Sequence, residues 1–312
     1  MKFKLDFPIK PIDLKLTFAK EVLLIGSCFS DEMGASFRSS GFHVCDNPFG
    51  TIFHPAAIAR VLSDAINDVL SVDLLTRGDL YFSWGASGKL YATDEGVLRK
   101  KVLSTRQEIK KILSEAELAV ITFGTAWAYV LNDSGKIVAN CHKVPQDRFS
   151  RKLSEVNEMV SEWQNLVKQI KELNPDIQII FTVSPVRHVR DGLVENNRSK
   201  ARLIELVHSL SEDQVHYFPS YEILIDELRD HRYFASDLVH PSKEATAYVW
   251  ERFKEYLFDT NTAEAVVSVE KVKRSMAHKS LYPGSAEEVK RREALMHAKD
   301  ILESDYPGVN WA

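Results

Sequence analysis

Four short apolar runs, separated by long amphipathic patterns, constrain the fold of this chain more than any other feature. They lie at residues 21–25, 118–123, 177–183 and 215–218. Apolar runs of this length are typical of strands that are buried on both faces, as in a parallel sheet. Because helical patterns separate the runs, we expect right-handed crossovers between the strands. The sequence therefore predicts an α/β fold built on a mainly parallel sheet.

Helical periodicity is clearest over residues 152–173. Apolar side chains recur there at spacings of three and four, and an Asn-Pro pair ends the pattern. Two further helices are predicted, one opening after Asn197 and one opening after the His-Pro pair at His240. Helices of this kind would cover the faces of the predicted sheet.

Two segments depart from the alternation of strands and helices. Residues 72–104 carry short aromatic and glycine-rich pieces, which predict an inserted hairpin. Beyond about residue 259 the sequence becomes charged, alanine-rich and helical, with one break at a Tyr-Pro-Gly turn. We therefore predict a main domain over residues 1–259 that contains the insertion, and a C-terminal helical extension over residues 260–312.

The composition excludes several classes of protein. With 45% hydrophobic and 27% charged residues, the chain matches ordinary globular proteins rather than disordered ones. A formal net charge of −4 argues against nucleic-acid binding, and no apolar run approaches the roughly 20 residues that span a bilayer. Three widely separated cysteines do not indicate a disulfide framework. We expect a cytoplasmic protein that binds neither nucleic acid nor membrane.

Residues just after each strand are the first candidates for chemistry, because parallel sheets bind ligands beyond the carboxyl ends of their strands. Cys28 follows the first run, Thr125 follows the second and Ser184 follows the third. Gly50 lies in the segment CDNPFGTIFHP. Residues 235–242, ASDLVHPS, add a carboxylate and an imidazole three residues apart, which suits general acid–base chemistry.

These segments supply the parts that a nucleophilic mechanism needs. Cys28 is the candidate nucleophile, His240 the base and Asp237 the acid that orients the base. The backbone N–H groups of Cys28 and Gly50 are candidate oxyanion donors. A thiol at the junction of a strand and a helix also lies where the helix dipole stabilises a thiolate.

Each of these residues has a simpler interpretation. Free cysteine is among the most buried residue types, so Cys28 can be a small side chain that fills the junction between the strand and the helix. Ser27 is a rival nucleophile, although neighbouring side chains at a strand end usually point in opposite directions. Cys28, His43, Cys45 and His54 lack the short spacings of a metal site, so we predict no metal and no cofactor.

The segment GSCFSDEMG resembles the opening block of SGNH/GDSL hydrolases, whose nucleophilic serine stands in a Gly-Asp-Ser-x-Ser/Thr corner. Cys28 falls on that serine, and DLVHP matches the late Asp-x-x-His-Pro block through Asp237 and His240. Together with NPFGTI, the GSCF opening is similar to the GSCFA branch of this superfamily. The resemblance covers roughly residues 20–255. It implies a three-layer α/β/α sandwich of flavodoxin-like type.

The sequence departs from the family pattern at two places. The family's Gly-x-Asn block reads Gly124-Thr125-Ala126, so the usual side-chain amide donor is absent. Loss of one oxyanion donor can slow a reaction by roughly a hundredfold or more, and Thr125 is our candidate replacement in the oxyanion hole. The second departure is the thiol itself, which favours acyl transfer over phosphoryl transfer.

Four residues near these blocks are candidates for substrate binding. His188 follows the third strand in SPVRHVRDG, and the neighbouring Arg187 can hold an anionic group. Ser27 and Asn47 lie beside the nucleophile and the glycine block. The simpler interpretation of Arg187 and His188 is an ordinary surface loop.

The resemblance implies an ester hydrolase or acyltransferase that acts on small-molecule or carbohydrate esters, with acylated carbohydrate as the substrate. The alternative is a non-catalytic module that binds a carbohydrate or acyl ligand on the same fold. This alternative follows from Ala126, where the family usually has asparagine. The C-terminal helices are predicted to pack or to form a homo-oligomer.

Overall fold

A computed structural model describes residues 7–278 and 280–312 of the chain. The strands are β1 (Glu21–Gly26), β2 (His43–Asp46), β3 (Leu74–Arg77), β4 (Leu80–Ser83), β5 (Tyr91–Ala92), β6 (Leu118–Phe123), β7 (Trp127–Leu131), β8 (Ile137–Val138), β9 (Phe149–Leu153), β10 (Gln178–Val183) and β11 (Val215–Phe218). Within the described residues, the central sheet has five parallel strands in the order β2-β1-β6-β10-β11. This arrangement confirms the predicted parallel sheet.

Helices cover both faces of the sheet. They are α1 (Cys28–Ser39), α2 (Pro55–Ile66), α3 (Glu95–Glu115), α4 (Val156–Leu173), α5 (Leu193–Leu210), α6 (Ser220–Glu222), α7 (Lys243–Leu257), α8 (Thr260–Ala277) and α9 (Ala286–Asp305). A π-helical turn, Ile223–Leu228, follows α6 directly.

Alternate side chains of each central strand enter two different hydrophobic cores. Leu23 and Ile25 of β1 pack with apolar residues of α2, α3, α4 and α5. Leu24 of the same strand faces the other way and packs with α1, α7 and α8. Because successive side chains of a strand point to opposite faces, one apolar run supplies both cores. The result is the expected three-layer sandwich.

The strand order fixes where a crevice opens. From β1 the chain crosses to β2 on one side, and the next strand of the central sheet, β6, lies on the other side of β1. Connections that leave in opposite directions create a crevice at the carboxyl ends of β1 and β6. Cys28 follows β1 and Gly124 follows β6, so both lie at this position.

Two predicted helix boundaries are wrong. Residues 149–153 form β9, in which Leu153 pairs with Trp127, so α4 begins at Val156 and not at residue 152. Leu153 has the spacing of the apolar face of the predicted helix, but its pairing with β7 determines its conformation. Helix α5 begins at Leu193, just after Gly192 with its positive φ of 89°, so the polar residues up to Asn197 lie inside the helix.

Two small antiparallel sheets flank the central one. Strands β3, β4 and β5 fall in the segment where a hairpin was predicted, and residues 95–104 of that segment belong to α3. Strands β7, β8 and β9 form the other small sheet, directly after the Gly124 turn. The sequence analysis did not identify this second sheet.

The two C-terminal helices differ in how they pack. Helix α8 buries Ala265, Val266 and Val269 in the core that also contains α1 and α7. Helix α9 packs along α8 and, within the described residues, has no buried side chain. None of the described helices combines the length and apolar character needed to cross a membrane.

Candidate active site

The corner after β1 places Cys28 at the first position of α1. Gly26 ends the strand with a φ of 141°, and a Cβ atom there would overlap the Thr122 carbonyl of β6. Only glycine fits this close approach. The Ser27 N–H donates to the Thr122 carbonyl at 3.1 Å, and the Ser27 hydroxyl caps α1 by accepting from the Phe29 N–H at 3.3 Å. The turn thereby presents Cys28 beyond the end of the strand.

Asn47 holds the same corner from the side of β2. Its side-chain oxygen accepts from the Gly26 N–H at 2.8 Å. Its amide donates to the Ser27 carbonyl at 3.3 Å and to the Asp31 carboxylate at 2.6 Å. The structure therefore places both Ser27 and Asn47, predicted to bind substrate, in the framework of the corner, where their side chains are buried.

The environment of the Cys28 thiol raises its pKa above the ordinary value of 9.0. Burial is the largest cause, and the negative charge of Asp31 is the next. The sulfur's contact with its own backbone N–H lowers the pKa, Glu32 raises it, and Lys200 lowers it. The expected thiolate-stabilising effect of the helix start is outweighed, because burial and two carboxylates in α1 oppose it. Cys28 is therefore a thiol at neutral pH and needs a base.

Asp237 and His240 form a hydrogen-bonded pair within one loop. The Asp237 carboxylate accepts from the Nδ1 of His240 at 2.7 Å and from the backbone N–H groups of Val239 and His240 at 2.9 and 3.0 Å. These hydrogen bonds, with that of the His240 backbone the largest cause, lower the Asp237 pKa to about 2. Because Nδ1 donates to the carboxylate, Nε2 of His240 is left to accept a proton.

Arg187 fixes this loop against the end of β10. Its backbone N–H donates to the Val239 carbonyl at 3.1 Å, and its guanidinium donates to the Leu238 carbonyl at 3.3 Å. The guanidinium also stacks on the Phe234 ring, 4.0 Å from the ring centre. The structure thus gives Arg187, predicted to bind substrate, a role in holding residues 235–242.

Cys28 and His240 are related through two residues between them, Lys200 and His188. In the part of the chain that the structure describes, no hydrogen bond joins the Cys28 sulfur to the His240 ring. Lys200 lies within electrostatic range of Cys28, and His188 lies within that range of both Lys200 and His240. The Asp237 and His240 side chains are about half exposed, at 48% and 50%. The His240 ring is therefore accessible from solvent.

The candidate oxyanion donors differ in their availability. The Gly50 N–H donates to the Asn47 carbonyl at 2.6 Å, and the Thr125 N–H donates to the Phe53 carbonyl at 3.1 Å. The Cys28 N–H lies against its own sulfur. Of these three groups, the Cys28 N–H is the one that lies at the Cys28 sulfur in this conformation.

His188 lies beneath the loop that follows β6. Its ring packs edge-on against Phe53, with the ring centres 5.2 Å apart, and its Nε2 has no hydrogen-bond partner in the described structure. A Cβ atom on Gly124 would lie 3.2 Å from that nitrogen. Burial, followed by the charges of Lys200 and His240, lowers the His188 pKa to about 3. His188 is therefore neutral at pH 7.

The sequence analysis missed Lys200, assigning it with its neighbours to the start of a helix. Its ammonium is fully buried and donates to the carbonyls of Gly124 and Ser184, each at 2.7 Å. Lys200 is spaced three and seven residues from the buried Leu203 and Val207 of α5. This spacing, which places a lysine on the apolar face of a helix, was the available signal.

The four residues considered for a metal site make separate contacts. The His43 ring lies 3.1 Å from the Gly308 carbonyl, while His54 caps α2 by accepting from the Ala56 N–H at 3.1 Å. Burial lowers the His54 pKa to about 4, so this ring is neutral. Among residues 7–278 and 280–312, no three His, Cys, Asp or Glu side chains are placed to hold a metal ion.

A model of the GSCFA family matches residues 21–253. The chain belongs to the GSCFA family. This match confirms the resemblance drawn from GSCFSDEMG, NPFGTI and DLVHP, all of which lie within the matched residues. No curated protein matches this GSCFA family member.

Three solved structures are similar to this GSCFA family member at low identity. A family two carbohydrate esterase from Clostridium thermocellum, solved as an active-site mutant, has a TM-score of 0.39 and 13% identity, with 80% of this chain and 64% of that chain covered. A family 3 carbohydrate esterase from Talaromyces cellulolyticus has a TM-score of 0.36 and 7% identity, with 81% and 98% covered. An acetyl xylan esterase from the rumen bacterium Butyrivibrio proteoclasticus has a TM-score of 0.37 and 13% identity, with 78% and 64% covered. The chain thus spans less than two thirds of the first and third of these proteins.

Proposed function

We propose that this protein is an ester hydrolase or acyltransferase that uses Cys28 as nucleophile, His240 as base and Asp237 as orienting acid. The observation that carries the proposal is the Asp237–His240 hydrogen bond of 2.7 Å, which leaves Nε2 of His240 as the proton acceptor. A thiol whose pKa is raised requires such a base, and Cys28 stands at the crevice where substrates of parallel-sheet proteins bind.

In the proposed reaction, Nε2 of His240 takes the proton from the Cys28 sulfur, and the thiolate attacks the ester carbonyl carbon. A sulfur–carbon bond forms, and the carbonyl π electrons move to oxygen, where the Cys28 N–H donates to the developing charge. The carbon–oxygen bond to the alcohol then breaks, and the alcohol leaves with the proton from His240. Water or an acceptor hydroxyl attacks the resulting thioester, again with His240 as base, and frees the thiol.

The reaction requires the base to come within hydrogen-bond reach of the sulfur. We propose that substrate binding draws residues 235–242 toward Cys28, since hydrogen bonds in unliganded sites are often longer than in the working complex. Acylated carbohydrate is the substrate class we propose, on the resemblance to SGNH/GDSL hydrolases.

The test is hydrolysis of p-nitrophenyl acetate and of acetylated xylo-oligosaccharide by the wild type and by Cys28→Ala and His240→Ala. We expect each substitution to lower turnover by about a hundredfold or more. Cys141→Ala is the matched control, because Cys141 is another half-buried free thiol, and it should keep wild-type turnover. Equal turnover in Cys28→Ala and the wild type would refute the proposal.

The second candidate function is a binding module that keeps the fold without turnover. The raised pKa of Cys28 and Ala126 in place of the usual asparagine favour it. It predicts slow alkylation of Cys28, no hydrolysis of any short acyl ester, and binding of carbohydrate esters that survives in Cys28→Ala. Calorimetry with acetylated xylo-oligosaccharide distinguishes this outcome from catalysis.

A further inference from the structure

The buried ammonium of Lys200 is the least expected group in the molecule. The residue is 1% exposed, although lysine is almost never fully buried without a partner. Two of its N–H groups donate to the Gly124 and Ser184 carbonyls, and within the described structure its third has no acceptor. Carbonyls satisfy hydrogen bonds but do not neutralise a charge, so burial of this cation needs an explanation beyond packing.

The backbone places this ammonium beside the Cys28 corner. Gly124 directly follows β6 and Ser184 directly follows β10, so Lys200 joins the carboxyl ends of two neighbouring strands. Strand β1, which ends at Cys28, is the other neighbour of β6. The corner is hydrogen-bonded to Thr122, only two residues before Gly124. The ammonium and the sulfur are thus held on adjacent strand ends.

The charges around Lys200 and Cys28 indicate that each of the two groups favours the ionised form of the other. Asp31 and Glu32 of α1 raise the pKa of Cys28, whereas Lys200 opposes them. On the side of Lys200, Cys28 is the partner that favours the ammonium, while burial lowers the Lys200 pKa to about 7. The Tyr221 ring centre lies 5.7 Å from the ammonium, and the nearby His188 is neutral at pH 7. A thiolate at Cys28 is therefore the charge that this lysine is placed to balance.

We propose that Lys200 is an electrostatic positioning residue for Cys28. This proposal rests on the proposed function only in taking Cys28 as the reacting atom. It acts through the sulfur by stabilising the thiolate that forms when His240 takes the thiol proton. Between ionised groups the attraction inside a protein is several times stronger than in bulk water, so a buried cation acts on a thiolate without touching it.

The test measures alkylation of Cys28 by iodoacetamide as a function of pH, in which the sulfur displaces iodide only as a thiolate. Lys200→Met keeps an unbranched side chain, shorter by the terminal nitrogen, and removes its charge. At pH 6.5, below the Lys200 pKa of about 7, we expect Cys28 to be alkylated about tenfold more slowly in Lys200→Met than in the wild type, with the pH profile displaced to higher pH. Lys200→Arg, which keeps the charge, should restore the rate to within about threefold.

Arg202→Met is the matched control. Arg202 lies two residues further along α5 and also donates to two backbone carbonyls, those of Leu153 and Ser154, at 3.1 and 2.6 Å. It shares the helix and the bonding pattern, but its guanidinium lies at the end of β9 and not at the ends of β6 and β10. Its removal should leave the alkylation profile unchanged. If Lys200→Met and Arg202→Met alkylate at the wild-type rate, or if Lys200→Arg is as slow as Lys200→Met, the proposal is overturned.

A second measurement keeps the proposal testable if Lys200→Met does not fold. The side-chain ammonium of Lys200 is followed by ¹⁵N NMR in the wild type and in Cys28→Ser, where no thiolate can form. We expect the protonated signal to persist to higher pH in the wild type, and identical titrations would overturn the proposal. Both measurements are independent of ester turnover. If the protein hydrolyses no ester, the proposed function is refuted, but the two measurements still test the role of Lys200.

Discussion

At the scale of single residues, the Asp237 carboxylate is bound by donors from its own loop. Three N–H groups within three residues of the chain donate to it, and they lower its pKa from 3.8 to about 2. A carboxyl group with a lowered pKa stabilises the fold above its unfolded value of 3.8, and this contribution is lost as the pH falls toward 2. Asp237 therefore stays ionised across the range in which His240 would act.

Asp237→Asn tests this arrangement. An amide that presents its NH₂ to Nδ1 of His240 forces the other tautomer and removes the proton acceptor at Nε2. We expect ester turnover to fall by about a hundredfold or more, measured with p-nitrophenyl acetate at pH 7.5. Asp230→Asn is the control, because Asp230 similarly caps a turn through the Arg232 N–H at 2.9 Å, and it should retain turnover. Equal effects of the two substitutions would count against the role of Asp237.

Single residues also mark the limit of prediction from sequence. Cys28, Asp237 and His240 could be selected as candidates because the thiol follows a buried strand and the other two share one short loop; their roles remain a prediction. The raised pKa of the thiol could not be predicted from the sequence, because it depends on burial and on carboxylates whose orientation only the fold determines. Lys200 was missed because its partners lie 76 and 16 residues away.

At the scale of elements, two loops with no regular structure depend on each other. Arg187, after β10, is linked to residues 235–242 by two hydrogen bonds and by stacking on Phe234. The Ala235 N–H also donates to the His240 carbonyl at 2.8 Å, which closes the loop on itself. Arg187 thus ties residues 235–242, with His240 among them, to the end of β10.

Arg187→Ala should loosen the attachment of this loop without unfolding it. We expect turnover to fall by about tenfold, because the base loses its position over the crevice, while alkylation of Cys28 stays at the wild-type rate. Kinetics with p-nitrophenyl acetate and iodoacetamide separate these effects. Arg232→Ala removes an arginine that stacks on Tyr233 but is not bonded to residues 235–242, so it should leave both rates unchanged. Unchanged turnover in Arg187→Ala would contradict the expectation.

Element identity was more predictable than element boundaries. The runs at 118–123 and 215–218 coincide with β6 and β11. All six side chains of β6 are buried, which leaves a continuous apolar signal, and the end residues of β11 are buried as well. Strand β2 and the sheet of β7, β8 and β9 escaped detection, because their residues are mostly half-buried or exposed. Their positions follow from pairing with distant strands, which periodicity does not encode.

At the scale of the whole molecule, α8 is built into the core that supports the active-site corner. Val269 of α8 is fully buried, and a Cβ atom on Gly41 would meet it at 2.7 Å. The same core contains Phe29 and Met33 of α1, the helix that begins at Cys28. The division at residue 259 remains a prediction, as does a homo-oligomer formed through the C-terminal helices.

Val269→Ala tests how closely α8 is integrated. If α8 folds with the main domain, removing two buried methyl groups should lower the free energy of unfolding by about 2 kcal/mol, in a single urea transition. Val267→Ala is the control, since Val267 lies on the same helix but is 61% exposed, and its effect should stay within about 0.5 kcal/mol. A separate low-urea transition in Val269→Ala would instead indicate an independent C-terminal unit.

The short span between Asp237 and His240 has a consequence for how this site can change. Because carboxylate and imidazole belong to the same turn, any displacement of that turn carries both together and preserves their alignment. The gap to the sulfur is therefore an adjustable quantity, set by whatever holds the turn. Under the proposed function, we expect a change in that gap to alter substrate preference and to leave the Asp237–His240 pair intact.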